Sequence, residues 1–474
     1  MSLKAACWPD PVGMVEELRG LGIETMITAW PFMSADSVHR PAFEAAGALA
    51  VNVSSGRADT FWEYLQQGAL ITPLSEATRN LTIEAWVRGY GSLGVRAVWL
   101  DETEPDRTAE SDAALRSGGW SYEGTNALVR GPVWRQQWIR TMTDALRGLW
   151  GTGNFFALSR SAWLGTAKYG HAVWSGDTDS SWAGLAAQIP TGLGAGLSGI
   201  GLWVSVFRCV YAICVLRRFS ARCLDTPWTR RTIRRRLTSV ATTRQWTHST
   251  RRLRNYLYDG HSLQGAQSIH VLLARNMVIS MSLLRWRCLP IRTAQLAPSD
   301  PANAIARSVS PLMRLHGHRR GGPPSDPVCM QTNGDNEPWT LFKNETRYNA
   351  FIEAIRWREQ ARNYVVSLQA EWSASGMPMI APVWLHFPAD PVCAFTTRGD
   401  DGTCAGAFMF GTDWLAKPVT RLGQSSAWVY LPALPAGQSW EYAFGTRTNY
   451  GAGPVNVTVA TPIDEFPLFY RNNA

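Results

Sequence analysis

The chain has 474 residues, 45% of them hydrophobic and 18% charged, with 23 tryptophans and a formal net charge of +9. That length and balance exclude a disordered tail, a disulfide-stapled mini-protein and a coiled coil, and they suffice for a large buried core spread over several domains. No stretch reaches the ~20 uncharged apolar residues of a membrane span; the nearest, Val204 to Leu216, is short and carries Arg208.

The opening MSLKAACWPDPVG has no apolar run of the signal-peptide kind. From Gly13 to Asp177 helical and strand patterns alternate. MVEELRGLG puts Met14, Val15 and Leu18 on one helix face and stops at Gly20 and Gly22. IETMITAWPF then reads as a buried strand. A helical stretch around EAWVRGYGSLG leads into VRAVWLDETEPD, an apolar strand ending in acids. VWRQQWIRTMTDALRGLW is a long helix before the strand FFALSRSAW. HAVWSGDTDS is another strand-to-loop unit, and SSWAGLAAQIPTGLGA a helix leading into LSGIGLW. Repeated helix-then-strand units imply a parallel sheet, and in a (β/α)8 barrel the polar groups at strand C-termini form the site.

The pattern then breaks. Between Val204 and Ser310 there are 18 arginines and no lysine, against Asp225, Asp259, Asp300 and no glutamate, a net of +15. The rest of the chain holds 28 basic and 34 acidic residues, a net of −6, so the basic character belongs to this one segment. Natural surfaces mix both signs and both basic residue types. Arginine throughout with neither Lys nor Glu is what out-of-frame or intronic translation of GC-rich DNA gives, and the stretch is expected to be disordered. A nucleic-acid-binding arm is the competing reading. Cys209, Cys214, Cys223 and Cys288 lie here without any paired C-x-x-C spacing, so no zinc site is expected. Of the other cysteines, Cys393 and Cys404 are close enough in sequence to bridge.

After the segment, PLMRLHGH resembles one more short strand, and RYNAFIEAIRWREQARNYVVSLQAEWSASG is a long helix ended by Gly376. The last ~85 residues become short strands between Gly/Pro turns, an antiparallel β-sandwich signature. The expected division is a partial barrel over 1–203, the Arg-rich segment over 204–310, the end of the barrel over 311–389 and the sandwich over 390–474. The fold class is therefore α/β: a (β/α)8 TIM-type barrel followed by a C-terminal β-sandwich.

Asp101, Glu102, Glu104 and Asp106 end one apolar strand, and Asp177 and Asp179 follow another, beside Trp174 and Trp182. Carboxylates at the ends of different barrel strands, among tryptophans able to stack on pyranose faces, point to sugar chemistry. Acidic residues after strands are also ordinary loop residues, and spacing alone leaves both readings open. His171 and His386 read as structural or surface residues. Trp372, Trp384 and Trp414 fit helix or strand patterns and read as core. N-x-S/T sequons stand at Asn52, Asn80, Asn344 and Asn456 and are compatible with secretion.

Taken together and in order, GVRAVWLDETEPD, LSRSAWLGTAKYGHAVWSGDTDSSW, QIPTGLGAGLSGIGLW, PLMRLHGHR, NEPW and FMFGTDWLAKPVT resemble glycoside hydrolase family 31, the α-glucosidase and α-xylosidase family. The resemblance implies that Asp101 of W-L-D-E-T-E is the nucleophile and Asp177 of W-S-G-D the general acid/base. It places Arg160 and Trp163 at substrate and nucleophile contacts, His316 on sugar hydroxyls, Trp30 as a subsite wall and Glu104 as a supporting hydrogen-bond partner. A retaining mechanism then expects the two carboxyl groups about 5 to 5.5 Å apart. The substrate implied is a terminal α-linked xylose or glucose of an oligosaccharide. Xylose leads because D-E-T-E-P departs from the D-M-N-E type of α-glucosidases. No cofactor, metal, nucleic acid or membrane partner is expected, and self-association is left open.

The resemblance also has gaps. Family members begin with an N-terminal β-sandwich and two barrel strands, one bearing a substrate-binding acid; this chain starts after them, so the resemblance implies a (β/α)8 barrel lacking its first strands. Following GIGLW the family continues with a His-Asp pair and a glycine-rich loop, where this chain reads VSVFRC. These departures predict a chain that folds or turns over poorly as written, and they keep a catalytically inactive, carbohydrate-binding remnant as the alternative.

Overall fold

The computed structural model describes residues 8–58, 61–63, 66–104, 119–176, 178, 181–204, 269–273, 278–279, 309–315, 345–394 and 404–473. The first helix, α1 (Pro11–Gly20), begins where Asp10 accepts a hydrogen bond from the Gly13 amide at 2.9 Å and Pro11 presets the first turn. Its Met14, Val15 and Leu18 are buried. The chain then alternates: β1 (Ile23–Ala29), α2 (Glu76–Gly89), β2 (Ala97–Leu100), α3 (Ala127–Trp150), β3 (Phe156–Ser159), β4 (Ala172–Trp174), α4 (Trp182–Leu197) and β5 (Trp203–Val204).

These five strands form one parallel arc in which each strand lies beside its neighbour in sequence. Sequential parallel order with intervening helices is the winding of a (β/α) barrel rather than a doubly wound sheet. At the far edge of β1 runs β6 (Ile269–Leu273), antiparallel, with Ile23 opposite Leu273 and Ile27 opposite Ile269. It comes from the Arg-rich stretch, most of which lies outside the described residues, as does the greater part of the PLMRLHGHR and NEPW region. Two residues, Arg314–Leu315, pair parallel with Val278–Ile279.

Both faces of the arc are apolar, and the period of two sorts them. Ile27, Val98, Leu100 and Ala157 pack outward against α1, α2 and α3, together with Trp86, Trp138 and Leu146. Met26, Ala97, Trp99 and Leu158 point the other way, into a cluster with Trp174 and the residues of the next helices.

The helix expected over the RYNAFIEAIRW stretch is two helices, α5 (Glu345–Gln360) and α6 (Arg362–Ser375), separated at Ala361. Gly376 closes α6 in the left-handed conformation, φ 77°, as a glycine there should. Arg358 of α5 is buried and donates to the carbonyls of Ser310 (2.7 Å) and Pro311 (2.8 Å), fastening that returning stretch to the helix.

The C-terminal part comprises β7 (Ile380–Pro382), β8 (Phe408–Phe410), β9 (Trp414–Ala416), β10 (Ser426–Leu431), β11 (Gln438–Tyr442), β12 (Val455–Ala460) and β13 (Leu468–Asn473). Five of them make an antiparallel sheet in the order β7-β8-β9-β13-β11, and β10 pairs with β12. Met409, Leu415, Val429, Leu431, Trp440, Val457 and Phe469 fill the space between the two sheets, which is the expected sandwich. Cys393 and Cys404 form a disulfide at its margin. Trp372 packs against Gly201, and Trp414 lies in an aromatic cluster, as core residues. Trp384 is not core: it is 41% exposed, because the single turn Val383–His386 buries Val383 instead.

Candidate active site

The site follows from the pleat. Met26 faces inward on β1, and two steps of two residues further on stands Trp30. Trp99 faces inward on β2, and two residues on is Asp101. Leu158 faces inward on β3, and two residues on is Arg160. Side chains at i and i+2 share a face, so three neighbouring strands deliver an indole, a carboxylate and a guanidinium to one end of the arc. Trp99 and Trp174 meet edge to face beneath them, ring centroids 5.4 Å apart.

The three groups touch. Arg160 Nη1 donates to Asp101 Oδ1 at 2.8 Å, and Trp30 Nε1 reaches Asp101 Oδ2 at 3.3 Å. The Glu102 amide adds a bond to Oδ1 at 3.0 Å. The two oxygens of Asp101 are therefore unequal. Oδ1 carries the guanidinium and an amide, while Oδ2 carries one long indole contact and keeps lone pairs for an incoming group. Arg160 Nη1 also donates to Glu102 Oε1 at 2.7 Å, and its Nε lies 3.1 Å from Glu104 Oε1. Exposure increases outward, from 2% for the Arg160 side chain and 5% for Glu102 to 15% for Asp101 and 22% for Glu104.

Three carboxyl groups surround one cation. Burial alone would lower the pKa of Arg160, but Asp101, Glu102 and Glu104 outweigh it and the net shift is upward. Glu104 is pushed up to about 7, first by burial and further by Asp101, with Arg160 pulling the other way. Glu102 has φ 51°, a left-handed conformation rare for a residue with a Cβ, at the turn between the strand end and the site.

The residues expected from sequence fall into three groups. Trp30, Asp101, Arg160 and Glu104 come together. Trp163 lies on the loop after β3, 44% exposed, its amide held by the Thr166 hydroxyl at 2.8 Å, with no bond to the cluster among the described residues. Asp177 and His316 lie outside the described residues, as do Asp106 and Asp179. Gly176, the chain neighbour of Asp177, adopts φ 70°, and a Cβ there would stand 3.7 Å from Arg160 Nε, so the β4 loop approaches the cluster through a glycine.

Sequence reasoning gave no role to Glu102, which shares the guanidinium nitrogen with Asp101. Nor did it see that the Ser161 hydroxyl bonds both the Thr103 carbonyl (2.7 Å) and its hydroxyl (3.0 Å), joining the β2 and β3 loops. The run of acids was visible, but which of them turns toward an arginine 56 or more residues away is a tertiary fact. His171 is structural: it is buried, its Nε2 is 2.8 Å from the Thr143 hydroxyl, and burial, with Arg147 adding, pushes its pKa down to about 3. Among the described residues no group of His, Cys, Asp and Glu is arranged to hold a metal ion, and no helix is long and apolar enough to cross a membrane.

A (β/α) arc with a carboxylate–guanidinium cluster at its strand ends and an antiparallel sandwich behind it defines a barrel protein with a two-domain architecture and an acid-rich site. The family model of the glycosyl hydrolases family 31 TIM-barrel domain matches residues 1–205, and that of the family 31 C-terminal domain matches residues 376–474. The chain belongs to glycoside hydrolase family 31. It is 23% identical to alpha-xylosidase A of Aspergillus niger over 99% of this chain and 56% of that protein. It is also 29% identical to an uncharacterized family 31 glucosidase of Pseudescherichia vulneris, over 42% of this chain and 36% of that protein. A family 31 α-xylosidase from a soil metagenome, solved with xylose, superposes with a TM-score of 0.71 at 21% identity, covering all of this chain and 56% of that one. The chain thus spans about half, or less, of the length of these relatives.

Proposed function

We propose that this protein is a retaining, exo-acting α-glycosidase that removes terminal α-linked xylose or glucose from oligosaccharides. The observation that carries the reading is Asp101: a carboxylate anchored through Oδ1 by a buried arginine, with Oδ2 turned to the same face as Trp30. In the first step Oδ2 attacks the anomeric carbon and the glycosidic C–O bond breaks, its electron pair leaving on the aglycone oxygen. A general acid, the role we give Asp177, protonates that oxygen. In the second step the same residue takes a proton from water, the water oxygen bonds the anomeric carbon, and Asp101 departs as carboxylate, with retention of configuration. Trp30 supports the reading as an aromatic wall; His316 and Trp163 are given the roles of further sugar contacts on the family resemblance.

Xylose is favoured over glucose by the D-E-T-E-P run after β2 and by the names of the relatives in Aspergillus niger and Saccharolobus solfataricus, both α-xylosidases. The test uses 5-fluoro-α-xylosyl and 5-fluoro-α-glucosyl fluorides, which trap the covalent intermediate. Peptide mapping is expected to find the adduct on the peptide containing Asp101, and Asp101→Asn to lower kcat by about 1,000-fold or more. Turnover with inversion, or an adduct elsewhere, sinks the assignment. A second reading, an inactive sugar-binding remnant, is favoured by the Arg-rich stretch that interrupts the resemblance directly after β5. Xylose or glucose binding by titration calorimetry without any turnover would select it.

A further inference from the structure

We propose that Glu102 is a positioning residue that keeps Arg160 paired through the step in which Asp101 gives up its charge; the inference rests on the retaining reading above. A single nitrogen, Arg160 Nη1, donates to both Asp101 Oδ1 (2.8 Å) and Glu102 Oε1 (2.7 Å). Both of the inner partners are nearly sealed from water, with side-chain exposures of 2% and 5%. Glu102 is held there in a left-handed backbone conformation, φ 51°, which costs free energy in any residue with a Cβ and persists where surroundings over-determine it.

The chemistry explains why two carboxylates would sit on the two N–H groups of one nitrogen. When Asp101 Oδ2 bonds the anomeric carbon and the aglycone leaves with the proton of the general acid, Asp101 turns from an anion into a neutral ester. The Nη1 end of a guanidinium excluded from water would then face a much weaker partner, while Glu104 stays on Nε at 3.1 Å. Glu102 is already on Nη1 and keeps that end of the cation paired. In the free enzyme it has the opposite effect on Asp101: its negative charge offsets part of the guanidinium's, so Arg160 stabilises the attacking carboxylate less than it would alone. Both effects lower the barrier to forming the ester. Neither helps its hydrolysis, in which Asp101 leaves as an anion toward Nη1.

Glu102→Gln is therefore expected to slow glycosylation by about tenfold or more, read as kcat/KM for an aryl α-glycoside. Reactivation of the 5-fluoroglycosyl-enzyme in buffer should be unchanged or faster. Rates are normalised to the fraction of protein that the fluoride labels, so misfolded molecules do not count. Glu102→Asp, which keeps the charge, should recover part of kcat/KM. If Glu102→Gln does not fold, Glu102→Asp carries the same test, with a smaller drop in kcat/KM and no slowing of reactivation. Parallel loss of both rates, the mark of a merely structural residue, overturns the proposal, and so does a variant equal to wild type. Failure to label wild-type protein at Asp101 sinks the retaining reading and this inference with it. Labelled wild type with an indifferent variant sinks the inference alone.

Discussion

Glu104 is the third carboxyl on Arg160, and burial pushes it up to about 7. Its Oε2 is buried without a hydrogen-bond partner among the described residues, while Oε1 faces Arg160 Nε at 3.1 Å. Burial, with Asp101 adding, raises its pKa from 4.5 to about 7 against the pull of Arg160. A carboxyl whose pKa is higher folded than unfolded binds more protons in the native state between the two values. Its contribution is thus fully present below pH ~4.5 and is lost as pH rises through ~7. For this partly exposed group the loss amounts to about 2 to 3 kcal/mol of folding stability between pH 5 and 8. Glu104→Gln, neutral throughout, should flatten that part of the pH dependence. Urea unfolding at the two pH values measures it, and an unchanged slope in the variant would assign the shift to another group.

At the scale of elements, the turn between β8 and β9 locks the sandwich onto α6. Gly411 sits there with φ 66°, its amide bonded to the Met379 carbonyl at 2.8 Å. A Cβ at this position would stand 2.4 Å from both Leu368 Cδ2 and Tyr364 Oη. Tyr364 cannot easily move aside, because its hydroxyl donates to the Phe410 carbonyl at 2.7 Å and its ring stacks on Trp414 at 4.1 Å. Gly411→Ala combines a left-handed backbone with a steric conflict and should cost about 2 to 4 kcal/mol in urea unfolding; a loss below about 0.5 kcal/mol would mean the turn relaxes freely. The strands on either side were legible in sequence as short apolar runs between Gly/Pro turns. So was the barrel arc, where Ile27, Val98 and Ala157 alternate with Met26, Trp99 and Leu158. The same period carries Asp101 and Arg160 to one face, but the two were anticipated from the family resemblance, since spacing alone left acidic loop residues as an equal reading. Glu102 could not be, because its role depends on a left-handed turn that no residue pattern announces. The break at Ala361 was equally hidden: no Gly or Pro interrupts the stretch, and alanine is a strong helix former.

Across the whole molecule one apolar cluster joins what the sequence divides. Trp99, Leu158 and Trp174 from the barrel face, Phe351 and Leu368 from α5 and α6, and Phe408, Phe410 and Leu468 from the sandwich belong to the same core. Trp414 stands at the junction, with ring centroids 4.1 Å from Tyr364 and 5.3 Å from both Trp357 and Tyr470. A domain boundary crossed by a continuous core does not open independently, since separating the halves exposes the apolar surface of both. The described regions should therefore unfold in one transition, seen at the same midpoint by far-UV circular dichroism and tryptophan fluorescence. Trp414→Ala removes a large side chain from the shared core and should lower the stability of the entire unit by about 3 to 5 kcal/mol. Two resolved transitions in the wild-type protein would refute the coupling. A variant that shifts only one probe would place Trp414 inside a separate sandwich, and the carboxylate–guanidinium cluster of the barrel would then have to hold its geometry without support from behind.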